Sequence, residues 1–134
     1  KALVFSRRLP GAALADALAK QGLQVVWTDS GPSAICEAVS GDLAACFIVV
    51  GRHGEWEVDF LPCLNRVDPR LPLIVISDRD SIELQRRLRR HRVFYYLLEP
   101  LDAEELRAVI EAAVRGRGGR PIFPQRLDLS PHRR

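Results

Sequence analysis

The sequence predicts an α/β fold: a three-layer, doubly wound sheet of five parallel strands with helices on both faces. Three observations predict it. Five apolar runs alternate with five stretches of helical periodicity along residues 2–115, the alternation that builds parallel sheets through right-handed crossovers. The run at residues 44–50, AACFIVV, is almost continuously apolar, as expected of a strand covered on both faces. The stretch at residues 93–101, VFYYLLEPL, reads as a buried strand ending in Glu99-Pro100, and the helix start Asp102-Ala103-Glu104-Glu105-Leu106 follows at once.

The elements follow in order. Residues 2–5 form a short apolar strand. A helix is expected over residues 11–21, where Leu14, Ala17 and Leu18 share a face and Gly22 is placed to end it. Residues 23–28 (LQVVWT) make the second strand. Asp29-Ser30-Gly31-Pro32 supplies a turn and cap, with Pro32 suited to the first helical position, and a short helix is expected over residues 33–39. After the third strand, residues 51–55 read as a loop and residues 56–67 as a helix stopped before Asp68-Pro69. Residues 71–76 (LPLIVI) are the fourth strand, and residues 81–92 the fourth helix, capped by Asp80 or Ser81. Residues 93–98 are the fifth strand. The fifth helix, residues 102–115, places Leu106, Val109, Ile110 and Ala113 on one stripe. The tail, residues 116–134, holds three Gly, three Pro and several Arg without periodicity, and reads as a basic linker.

At 134 residues, 47% hydrophobic and 28% charged, the chain is sized for one domain with a proper core. No apolar run approaches the ~20 residues that span a bilayer, and no secretory signal pattern is present. The chain lacks an initiator methionine and opens into a strand, which points to a piece of something longer. Cys36, Cys46 and Cys63 form no CxxC pair and have no neighbouring His at ligand spacing. Cys46, inside an apolar run, reads as a small buried hydrophobe, and the odd count fits a reducing cytoplasm. The net charge of +3 is uneven, with arginines gathered in LQRRLRRHR at residues 84–92 and in the tail. Such a patch reads first as a solvated face, and otherwise as a surface for nucleic acid or an acidic partner.

In a doubly wound sheet the site lies beyond the carboxyl ends of the strands, so the residues to inspect are 6–8, 51–55, 77–80 and 99–100. The order and length of the elements, the approach Asp68-Pro69-Arg70-Leu71-Pro72 to the fourth strand and the Pro100 ending of the fifth resemble the receiver domains of two-component response regulators over about residues 2–115. The resemblance implies a flavodoxin-like strand order of 2-1-3-4-5. It also implies a site with two acids after the first strand for Mg²⁺, an aspartate acceptor ending the third, a Ser or Thr after the fourth and a Lys after the fifth. A hard cation needs carboxylate oxygens, and a transferred phosphoryl group needs a nucleophile and compensating charge.

This chain departs from that pattern. The acid pair falls at Phe5-Ser6 or Ser6-Arg7, and no Asp or Glu precedes Asp16. The acceptor falls at Val49, Val50 or Gly51, with no acid between Asp42 and Glu55. Ser77 keeps the hydroxyl, Glu99 takes the place of the lysine, and Pro100 remains. The degenerate pocket is therefore Ser6, Arg7, Val49, Val50, Ser77, Glu99 and Pro100. Asp78, Asp80, Glu55 and Glu99 form at best a weak acidic metal site, opposed by Arg7 or Arg8. His53 reads as an exposed loop residue, and the loop at residues 51–54 lacks nucleotide-cradle spacing. No catalytic residue, metal or cofactor is expected. Either Arg7 or Arg8 bridges Glu99, or the arginines face water.

The resemblance implies a phosphorylation-independent receiver acting by docking to a fused output domain, to a partner signalling protein, or to a second copy. The interaction face would be helix four, strand five and helix five: Arg86, Arg87, Arg90, Tyr96, Glu104 and Glu105, with Leu84 and Leu88 as its apolar row. The alternative is a sensor of a small ligand in the vacated crevice, or of nucleic acid along the arginine-rich helix; on the first reading nucleic acid is reached only through an unseen domain, and no membrane is involved.

Overall fold

In the computed structural model of the chain, residues 1–8, 11–51, 56–79 and 81–116 are described. Strand β1 (Ala2–Phe5) pairs in parallel with β2 (Val25–Thr28) on one side and β3 (Ala45–Val49) on the other. The sheet continues through β4 (Leu73–Ser77) to β5 (Tyr95–Leu98), all parallel, in the order β2-β1-β3-β4-β5. The expected fold class and strand order are both present.

Alternate strand residues feed two separate cores, as the period of two along a strand requires. Leu3, Phe5, Cys46, Ile48, Val75 and Tyr96 face α2 (Gly31–Val39), α3 (Leu61–Val67) and α4 (Ile82–Arg89). Val4, Phe47, Ile74, Ile76 and Leu97 face α1 (Ala12–Lys20) and α5 (Ala103–Arg115). Every residue of β1 and β4 is buried. The Cys46 thiol is pushed up to about 12 by that burial, while Cys36 and Cys63 are exposed.

Local chemistry sets the helix starts. Ser30 accepts from the Ser33 N–H at 3.3 Å, Ser81 from the Leu84 N–H at 3.1 Å and Asp102 from the Glu105 N–H at 2.9 Å. Each satisfies an orphan donor of a first turn. Ser81 thus caps α4; Asp80 lies outside the described residues, as do His53, Glu55 and residues 117–134 of the expected linker.

Three expectations are corrected. The helix expected over residues 56–67 is a 3₁₀ turn (Trp56–Phe60) followed by α3. Pro62 has no N–H to give to the preceding turn, so it sits in the first turn of a new helix. Leu84 and Leu88 are fully buried in the core and supply no surface row. Tyr96 is 1% exposed and its hydroxyl donates to the Arg79 carbonyl at 2.8 Å. It therefore belongs to the interior and not to an interaction face: on β5 its pleat points towards the core under α4.

Candidate functional site

The register brings the carboxyl ends of the strands to one edge: Phe5 lies beside Ile48, Val49 beside Ile76, and Ser77 beside Leu98. Beyond that edge opens a cavity of about 330 Å³ lined by Ser6, Arg7, Val49, Val50 and Glu99 from the expected pocket, together with Arg8, Gly51, Glu57 and Asp78 among others.

The β1–α1 loop is pinned from behind. Trp27 Nε1 donates to the carbonyls of Ser6 and Arg8 at 3.1 and 3.0 Å, and the Arg8 N–H donates to Ser6 Oγ at 3.2 Å. Ser6 is thereby buried and committed to its own turn, and Arg7 and Arg8 project as exposed side chains. Ser77 is likewise spent locally: its hydroxyl donates to the Arg79 carbonyl and accepts from the Arg79 N–H, both at 3.1 Å. Neither Ser77 nor Pro100 lines the cavity. The Glu99–Pro100 peptide bond is cis.

The expected bridge from Arg7 or Arg8 to Glu99 is not formed. Arg7 instead lays its guanidinium over Trp56, 5.6 Å from the ring centroid, a cation–π contact. Trp56 belongs to a trio of edge-to-face rings with Phe5 and Phe60, centroids 5.4 to 5.7 Å apart. An aromatic face within reach outcompetes an exposed carboxylate, whose ion pair in water is worth little.

Glu57 is the site residue that sequence reasoning missed. It is 0% exposed, it lines the cavity, and its Oε1 accepts from the Gly51 N–H at 3.3 Å. Its Oε2 is buried with no hydrogen-bond partner among the described residues. A signal was available: Glu57 stands four and seven residues before Leu61 and Leu64, which are fully buried. That is the spacing of one helical stripe, so a carboxylate stood on the apolar face of the expected helix.

The residues present do not fit the Mg²⁺ of a working receiver. The strand ends carry Ser6, Val50 and Gly51 in place of acids, and Arg7 and Arg8 are among the residues lining the cavity. Among the described residues no three His, Cys, Asp or Glu side chains gather to hold a metal.

On the expected interaction face, Arg86 and Arg90 are exposed, and Arg87 pairs with Asp59 at 3.2 Å. The acids of α5 are answered nearby. Arg107 bonds Glu104 at 3.0 Å and Glu111 at 2.8 Å, and the Tyr95 hydroxyl donates to Glu105 at 3.1 Å. The Arg107 hydrogen bonds hold Glu104 and Glu111 below the ordinary carboxylate range. Burial, aided by Arg90 and Arg87, lowers the affinity of His91 for its proton.

No protein-family model and no curated protein matches the sequence. Solved structures do match in fold. A response regulator from Thermotoga maritima superposes with a TM-score of 0.72 at 19% identity, covering 85% of this chain and 96% of that one. The signal receiver domain of a modulated diguanylate cyclase from Desulfovibrio desulfuricans G20 gives 0.68 at 25% identity, covering 87% and 93%. A CheY-like receiver domain protein from Methanospirillum hungatei gives 0.70 at 12% identity, covering 87% and 93%. The chain has the receiver fold of the two-component response regulators. Among the described residues no helix is long and apolar enough to cross a membrane.

Proposed function

We propose that this domain is a non-enzymatic, phosphorylation-independent receiver, a signalling module that works by docking. One observation carries the reading: with the registers in hand, β1 runs into Ser6 and Arg7 and β3 runs into Val50 and Gly51. Neither offers a carboxylate to bind a metal or accept a phosphoryl group. The hydroxyl that would contact the phosphoryl group is tied into its own turn. Receivers of this fold occur in a modulated diguanylate cyclase, in a protein with a sensory box and GGDEF domain, and as the NtrC4 dimer. By that analogy the domain controls a fused output domain or a partner signalling protein in the cytoplasm, or pairs with a second copy. The exposed Arg86 on α4 and Arg90 at its C-cap are the charged groups offered to such a partner.

Incubation with a small phosphodonor and Mg²⁺, read by intact mass, tests the reading. The expected result is an unchanged mass. A stoichiometric phosphoryl adduct, on Glu57 or elsewhere, that is released at alkaline pH overturns it.

A further inference from the structure

We propose that the cavity at the carboxyl edge binds a small zwitterion of the α-amino-acid class with an aliphatic side chain, its ammonium on Glu57 and its carboxylate towards Arg8. This goes beyond phosphorylation independence but rests on it, because a pocket that bound Mg²⁺ and a phosphoryl group would leave no room for such a ligand.

Glu57 carries the argument. A fully buried carboxylate is costly unless each oxygen is answered, yet only Oε1 has a partner, the Gly51 N–H at 3.3 Å. Gly51 lies against the Glu57 carboxylate and the Arg7 stem: a Cβ placed there would lie 3.4 Å from Glu57 Oε2 and 3.9 Å from Arg7 Cδ. Arg7 nonetheless turns its guanidinium onto Trp56 and forms no ion pair with Glu57. The buried oxygen therefore lacks a donor within the described protein, beside a cavity where one could be supplied.

The rest of the lining says what kind of molecule supplies it. Asp78 and Glu99 add negative charge, Arg7 and Arg8 positive, and Leu14, Val49, Ile76 and Leu101 give an apolar floor. A free anion such as phosphate would meet three carboxylates. A divalent cation would share the cavity with Arg8 and the stem of Arg7, and a purely apolar ligand would leave Glu57 still unanswered. A zwitterion uses both signs, each through a charge-assisted hydrogen bond, and its aliphatic side chain covers the floor. At about 330 Å³ the cavity stands at the small end of ligand pockets, which run ~300–1,000 Å³.

The test is titration calorimetry on the 134-residue chain with L-leucine and two half-ligands, isoamylamine without the carboxylate and 4-methylpentanoate without the ammonium. Leucine is expected to bind with a Kd in the millimolar range or tighter, and each half-ligand about tenfold more weakly or worse. Glu57→Gln and Arg8→Gln, each shown to be folded by circular dichroism, should each weaken leucine about tenfold. No heat from leucine or L-valine at about 10 mM, several times any useful Kd, overturns the proposal. So does undiminished binding in Glu57→Gln, or a half-ligand that binds as tightly as leucine. The phosphodonor experiment is read by mass alone, so an unchanged mass with no leucine binding sinks this inference and leaves the docking reading intact.

Discussion

Replacing Glu57 by glutamine should make the domain more stable. The wild-type carboxylate is wholly buried, with one oxygen bonded to the Gly51 N–H and the other without a partner. The substituted amide keeps an acceptor for Gly51 in nearly the same place and exchanges the unanswered charged oxygen for a neutral nitrogen. A neutral unsatisfied group costs ~1–3 kcal/mol and a charged one more, so the exchange should gain about 1–2 kcal/mol. For a chain of this size each kcal/mol moves the melting temperature by about 4 °C, so the expected rise is about 4–8 °C. With a urea m-value of about 1.5 kcal/mol/M, the midpoint should move up by roughly 1 M. Thermal and urea unfolding without added amino acids, followed by far-UV circular dichroism, read both. A loss of about 1 kcal/mol or more in Glu57→Gln would refute the reasoning, because it would mean that the second oxygen is already satisfied in the free protein. A gain in stability together with a loss of leucine binding would place the cost of Glu57 on the side of function.

Gly31→Ala should destabilise by about 1–3 kcal/mol, as overpacking does, because the added methyl would run into the Phe60 ring. That ring is held by Phe5 and Trp56, and Phe60→Leu in the same chain should recover part of the loss in urea unfolding. If the docking face joins two copies, Arg86→Glu with Arg90→Glu should shift a sedimentation profile from dimer to monomer while the dichroism spectrum is kept. A wild-type chain that sediments as a monomer at high micromolar concentration refutes the two-fold pairing.

The layers were legible because they are specified many times over. Strands β1, β3 and β4 each carry four or five buried residues, and any one of them could change without hiding the run. Boundaries were less legible where local hydrogen bonding decides them. The helix expected to reach Arg92 stops at Arg89, since the Arg90 and His91 N–H groups close the turn on Arg87 and Leu88. The fourth strand begins two residues later than its apolar run, at Leu73, because Leu71 is still in the turn from Asp68 and Pro72 has no N–H to give a ladder.

The site is specified once per residue, and there the sequence misled in an instructive direction. Counting acids at the family's positions, the ends of β1 and β3, yields none, and that count remains true of the fold. Counting acids around the cavity yields Glu57, Asp78 and Glu99. The difference arises because Glu57 reaches the cavity from the 3₁₀ turn that precedes α3, and no strand-end rule looks there. The arginines misled in the same way: opposite charges at facing positions suggested an ion pair, but Arg7 lies over the Trp56 ring instead. On the docking reading proposed above, a site with these charges does not serve a phosphoryl group and its metal. Among the described residues Glu57 is a buried, half-answered carboxylate, costly to keep for the fold alone, which makes it the residue whose substitution most directly separates a structural role from a binding one.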